Sequence, residues 1–342
     1  MFSVTNDRGF VPQSEQFEGR DMVGEDIKAY KIIHTNDFAY NPARINVGSI
    51  AMYTGERPCM ISSLYVCFKT TKEVNNEWLM QLLKTPKMNY YYNVNGEGGV
   101  RVYLFYPNFA RIRMSIPKIE EQKKIAKLLN LIDERIATQN KIIDKLQSLI
   151  KGIVDCTILR KEKNAIVGDV CSISEQIRAE ANIDDIITVR LHGNGVCKSS
   201  AENLQLGATQ YYRRRAGQLI YGKQNFHNGA IGIVPISLDN GITSKDIPSF
   251  DIDEMKCNSV YLLAQLQSPQ YYKPAEALTT GTGSKRLKEE TFLKMPIVLP
   301  NKREQDNIAV LIHRASMNLD HAKRLLELLS IQKQFLLRQM FI

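Results

Sequence analysis

The chain has 342 residues, of which 44% are hydrophobic and 24% charged, and its net charge is +9. That length fits two or three domains with real cores, and the composition is too apolar for a disordered protein. No run approaches 18 consecutive apolar residues, which excludes a membrane-spanning helix, and the six cysteines hold no CxxC pair, which argues against a disulfide framework or a structural zinc site.

In chain order, the first segment, MFSVTNDRGF, lacks a basic-then-apolar signal and opens on a short strand at Phe2–Thr5. β-rich runs follow from Gly48 to Tyr53 and from Ser63 to Phe68, and an amphipathic helix covers Glu77 to Leu83. A glycine turn, Gly96-Glu97-Gly98-Gly99-Val100-Arg101, leads to Ile116-Pro117. Beyond it apolar residues recur by fours and threes: Ile125, Leu129, Ile132, Ile136, Ile143, Leu146, Ile150 and Ile153, interrupted only at Gln139. A spacing of 3.5 over four heptads predicts a coiled-coil helix of about 35 residues, roughly 50 Å long, that ends near Gly152. Pro117 sits just ahead of it, where a missing N–H costs little.

An offset of 183 then brings back the same features. Ile116-Pro117-Lys118-Ile119-Glu120-Glu121-Gln122 returns as Leu299-Pro300-Asn301-Lys302-Arg303-Glu304-Gln305, and the glycine turn as Gly281-Thr282-Gly283-Ser284-Lys285-Arg286. Strands are expected at Ile186–Val189, Leu219–Tyr221 and Ala230–Pro235, and a helix over Ser259–Leu266. A second heptad seam runs through Ile308, Ile312, Ala315, Leu319, Ala322, Leu326, Leu329, Lys333 and Leu336. The chain is therefore two copies of one unit, divided as 1–115, a helical spacer 116–160, 161–298 and a second spacer 299–342. The lead-in from Ile166 to Asp185 has no counterpart ahead of Phe2, as though the first copy were short or completed from elsewhere. The expected fold is α/β (α+β), with two similar mixed domains and long helices paired antiparallel.

Charge does not single out the globular parts. Residues 116–165 carry 11 basic against 7 acidic side chains and 299–342 carry 7 against 4, so most of the excess lies on the helices and their flanks. Solvated lysines on a coiled coil account for it.

Two variable globular units, each closed by P-x-x-x-E-Q and a long heptad helix, resemble the specificity subunit of type I restriction–modification systems, over essentially the whole chain. The resemblance implies a non-catalytic DNA-recognition subunit whose two domains each read one half of a split, asymmetric target on double-stranded DNA. It implies two docked methyltransferase subunits, restriction subunits held through them, and a bacterial or archaeal cytoplasm. S-adenosylmethionine, ATP and Mg belong on those partners, with no cofactor or metal on this chain. The short first copy raises an alternative, a truncated cassette that serves as a structural or half-site binder.

For DNA contact the first domain offers Tyr40, Asn41, Arg44 and Asn46, then Gly98, Gly99 and Arg101. Asn and Arg match adenine and guanine edges, and glycines let backbone amides approach phosphates. The second offers Tyr221, Lys223, Asn225, His227 and Asn228, then Gly281, Gly283, Ser284, Lys285 and Arg286. Arg213-Arg214-Arg215, beside Tyr211 and Tyr212, is the densest basic cluster and suits phosphate contact. An ordinary solvated turn explains each group as well. Catalysis by the chain itself finds little support, because Tyr40-Asn41-Pro42 is followed by Ala43 rather than by the Pro-Tyr/Phe end of an amino-methyltransferase turn. Glu254-Met255-Lys256 with Asp239 or Asp246 only faintly echoes a metal-dependent nuclease.

Overall fold

Alternating side chains on very short strands build the cores of this protein. The computed structural model describes residues 1–16, 29–98, 102–199, 209–281 and 285–341. By contacts the chain divides into two compact units, one made of Met1–Asn140 with Arg324–Ile342 and the other of Lys141–Lys323.

Unit 1 holds β1 (Phe2–Thr5), β2 (Gly9–Pro12), β3 (Lys31–Ile33), β4 (Phe38–Tyr40), β5 (Ile50–Met52), β6 (Cys59–Ile61) and β7 (Val66–Phe68). They form two sheets, ordered β2-β1-β6-β3 and β5-β4-β7. All pairs are antiparallel except β1 with β6, which meet in parallel at Phe2 and Ile61. Successive residues of a strand face opposite sides. Phe38 and Tyr40 thus enter a core with Trp78, Leu82, Leu83 and Tyr92, whereas Ala39 joins Val4, Ile33 and Ile61 on the other face.

Unit 2 repeats this plan. It contains β8 (Ala165–Ile166), β9 (Cys171–Ile173), β10 (Arg178–Ala179), β11 (Ile187–Val189), β12 (Val196–Lys198), β13 (Tyr211–Arg213) and β14 (Leu219–Tyr221). It continues with β15 (Ile231–Ile233), β16 (Ile242–Ser244), β17 (Ser249–Ile252) and β18 (Pro296–Ile297). Leu219 and Tyr221 face the larger core, and Ile220 faces the smaller one with Ile187 and Val234. The sheets run β15-β14-β17-β9 and β10-β13-β16, with pairs β11–β12 and β18–β8. β9 and β10 extend the sheets beyond β17 and β13, whereas in unit 1 the equivalent β7 and β3 are edges among the described residues.

The short helices match between units. Asn76–Leu83 begins where the Asn75 side chain accepts the amide N–H of Trp78 at 2.9 Å. Ser259–Leu266 begins where Asn258 accepts from Val260 and Tyr261 at 3.0 and 3.2 Å. Such caps satisfy amide donors that the first turn leaves free.

The long helices are Ile119–Val154, with 36 residues, and Lys302–Met340, with 39. At 1.5 Å per residue they reach about 54 and about 58 Å. The first continues through Gly152 and ends in a single π-helical turn, Asp155–Leu159. In unit 1, Ala126 and Leu129 share a core with Leu336, Leu337 and Met340, and Asp133 pairs with Lys333 at 2.5 Å. Advancing along one helix means retreating along the other, so this pairing is antiparallel. In unit 2, Val154 shares its core with Ile308, Ala309 and Ile312. Every seam position from Ile308 to Leu336 is buried or half-buried.

Candidate nucleic-acid interface

The same loop is built twice. After β4 the chain turns through Asn41–Ser49, and after β14 through Gly222–Ala230. In the first, the amide of Asn41 donates to Ser49, Arg44 to Asn41, Gly48 to Ile45 and Ser49 to Arg44, at 3.0 Å each. In the second, Gly222 donates to Ala230, Asn225 to Gly222, Gly229 to Phe226 and Ala230 to Asn225, at 2.8–3.0 Å. Each loop closes on a glycine in the left-handed region, Gly48 at φ 99° and Gly229 at φ 75°. Both bury one apolar anchor, Ile45 or Phe226.

A second chain segment locks onto each loop. The Leu104 amide donates to the Pro42 carbonyl at 3.0 Å, and that of Leu287 to the Lys223 carbonyl at 2.9 Å. Immediately before these leucines, Glu97 pairs with Tyr103 and Thr280 with Arg286 as two-residue antiparallel bridges. Gly98, Gly281 and Lys285 lie within these bridges and are exposed. Gly99, Arg101, Gly283 and Ser284, named above as DNA contacts, lie outside the described residues.

Of the other expected contacts in unit 1, Arg44 is exposed, Asn46 donates to Asn93 at 3.1 Å, and the Asn41 side-chain Oδ1 accepts from the Ala43 amide at 3.0 Å. In unit 2, Asn225 is exposed, while the Asn228 side-chain amide lies 3.3 Å from the Asn225 oxygen and 3.2 Å from His227 Nε2. Two cations near this loop have acidic partners. Lys223 pairs with Glu289 at 2.6 Å and Arg286 with Asp246 at 3.3 Å.

Three expected contacts face inward instead. Tyr40 and Tyr221 are fully buried on their strands, and burial pushes both phenols well above the usual range. The Tyr221 hydroxyl donates to the Leu287 carbonyl at 3.1 Å, tying the loop to its locking segment. Arg214, in the middle of the basic cluster, is also fully buried. Its guanidinium donates to Thr243 Oγ1 at 2.7 Å, Ser249 Oγ at 2.9 Å, the Ile247 carbonyl at 2.9 Å and Gln176 Oε1 at 3.4 Å. Burial pulls its pKa down to about 10, which leaves it charged at neutral pH. With four of its five N–H donors spent inside the unit and the side chain fully buried, Arg214 is not presented to a phosphate. Its neighbours Arg213 and Arg215 are exposed and line a cavity of about 380 Å³ together with Glu175, Asp251 and Glu254.

The residues faintly suggestive of a nuclease are engaged elsewhere: Asp239 accepts the Ala216 amide and Asp246 pairs with Arg286. Among the described residues no group of His, Cys, Asp and Glu side chains could hold a metal ion. The sequence reading also passed over two things. It gave Gln122 and Gln305 no role, although they end the duplicated motif. It did not notice the exposed rings at Tyr103, Phe105 and Tyr106, for which the aromatic run itself was the available signal.

Comparison with known proteins places this architecture. A family model for the type I restriction modification DNA specificity domain matches residues 25–148. The MjaVIII type I restriction enzyme specificity subunit of Methanocaldococcus jannaschii is 21% identical over 308 residues, covering 81% of this chain and 72% of that protein. Among solved structures, the S subunit of a type I restriction–modification system from M. genitalium aligns with a TM-score of 0.60 at 12% identity, over 91% of this chain and 84% of that one. A chain from a study of complex assembly and conformational transition in a type I restriction–modification system aligns with a TM-score of 0.50 at 14% identity, over 91% and 83%. In its duplicated units and paired long helices the chain is thus similar to type I restriction–modification specificity subunits, and its residues 25–148 match their DNA specificity domain.

Proposed function

We propose that each unit reads one half of a split, asymmetric sequence on double-stranded DNA, and that the long helices set the spacing between the halves and dock methyltransferase subunits. The observation that carries this is a scaffold repeated hydrogen bond for hydrogen bond, bearing different exposed side chains. Such a pair binds two different half-sites with one backbone plan. The relatives' names point to the same role, as subunits of restriction enzymes. In this reading the chain performs no chemistry itself. Methyl transfer, with S-adenosylmethionine, and cleavage, with ATP and Mg, belong to methyltransferase and restriction subunits assembled in the cytoplasm.

A second apolar stripe supports the docking. Leu128, Leu131, Ile142 and Leu149 are exposed on the first long helix, as are Leu311, Leu325, Leu328 and Phe335 on the second. Leu128 and Leu311, like Ile142 and Leu325, are 183 apart, so both helices offer equivalent apolar positions to a partner.

The test exchanges the globular part of unit 2 for that of a related chain and reads the methylated motif. One half of the motif should change and the other stay. An unchanged motif contradicts the proposal. The alternative, a half-site binder, draws on β3 and β7 being edges among the described residues, and it would give a motif that responds to unit 2 alone.

A further inference from the structure

Leu104 and Leu287 hold the same place in the two units, fully buried and bonded to the loop carbonyls of Pro42 and Lys223. The side chains flanking them differ completely. Val102, Tyr103, Phe105 and Tyr106 surround the first, and Lys285, Arg286, Lys288 and Glu289 surround the second. Tyr103, Phe105 and Tyr106 are 38%, 48% and 51% exposed, and the first two rings stack at 6.2 Å and 15°. The Asn108 amide lies beside them, donating at 2.8 Å to Glu97, the bridge partner of Tyr103. Among the described residues from Met88 to Phe109, Glu97 is the only charged side chain.

Among the described residues from Met88 to Phe109 a phosphate finds no cation. A base edge finds flat apolar rings with an amide beside them. In the major groove thymine alone presents a methyl group, and apolar side chains contact it. Building on the DNA-reading function proposed above, we infer that Tyr103 and Phe105 read a thymine through its C5-methyl group, whereas at the same scaffold positions of unit 2 Lys288 and the guanidinium N–H groups of Arg286 not engaged by Asp246 hold backbone phosphate. One scaffold point thus serves base readout in one unit and electrostatic anchoring in the other.

The experiment uses the full chain assembled with its methyltransferase subunits and duplexes carrying the motif that this complex methylates. Each thymine is replaced in turn by uracil, which removes only the methyl group. One replacement should weaken binding about fourfold, the worth of one buried carbon. That loss should vanish in Tyr103→Ala/Phe105→Ala and persist in Tyr103→Phe, which keeps the ring. The salt dependence of binding should be unchanged in the aromatic variants, while Arg286→Ala and Lys288→Ala should each lower the slope of log K against log salt by about 1.

A thymine-free motif, no uracil effect, or a uracil effect that persists in the double variant overturns the inference while leaving DNA reading intact. Aromatic variants that lose their methyltransferase subunits also overturn it, since the rings would then be a protein contact. A complex that selects no sequence overturns the functional proposal, and this inference with it.

Discussion

Gln122 and Gln305 make the same three hydrogen bonds from positions 183 residues apart. Gln122 Oε1 accepts the Asn75 amide at 2.7 Å, while its Nε2 donates to the carbonyls of Glu73 at 2.9 Å and Pro117 at 2.8 Å. Gln305 Oε1 accepts the Asn258 amide at 2.9 Å, and its Nε2 donates to Lys256 at 3.1 Å and Pro300 at 2.8 Å. Both side chains are fully buried. The recurring motif is thus a latch: its glutamine fastens the start of a long helix to the turn that begins a short one. Alanine at either position should cost about 1–3 kcal/mol, because three hydrogen bonds made by a fully buried side chain to partly buried backbone groups are lost. Chemical denaturation checks this, and a change under 0.5 kcal/mol would rule the latch out.

The arginine triplet should divide sharply. Arg214→Ala strips partners from Thr243, Ser249 and the Ile247 carbonyl and leaves a void, at a cost on the order of 3 kcal/mol. Arg213→Ala and Arg215→Ala should stay within about 0.5 kcal/mol, as exposed positions do. Equal losses at all three would contradict the inward placement of Arg214.

The helix seam and the outer stripe should separate in the same way. Ile132 is buried in the seam, so Ile132→Lys leaves an unpaired charge there and should cost about 3–5 kcal/mol. Leu328 is 62% exposed, and Leu328→Lys should leave stability unchanged while reducing co-purification of methyltransferase subunits. Stability insensitive to Ile132→Lys would refute the seam.

Thiol reactivity offers a check on the unit 2 core. Burial pushes Cys171 and Cys257 up to about 12, whereas Cys156 is exposed. Since the thiolate is the reactive form, brief alkylation of the native chain at pH 8 should modify Cys156 and spare the other two until the chain unfolds. Mass spectrometry of the peptides reads the outcome, and early labelling of Cys171 would contradict the packing.

The long helices were legible in the sequence because a heptad repeat is a period that tertiary contacts rarely disturb. The second short helix was legible too: Ser259–Leu266 was expected and is found over those residues. What stayed hidden is set by strands of two to four residues, too short for alternation to declare itself. Three consecutive arginines look equivalent as sequence. Only the end of β13 at Arg213 and the polar groups of Thr243 and Ser249 decide that the middle one turns inward. Tyr40 and Tyr221 misled in the opposite direction, since a tyrosine next to a polar loop suits a base contact as well as a core. The exposure of Tyr103 and Phe105 depends on Leu104 being drawn onto the Pro42 carbonyl, a contact 62 residues apart that no local pattern announces.

The central claim is that two unlike units read two unlike half-sites. Methylome sequencing of cells carrying this chain with its methyltransferase subunits tests it most directly. A split, asymmetric motif with a fixed gap is expected. A palindrome, a lone half-motif or no motif at all would contradict it.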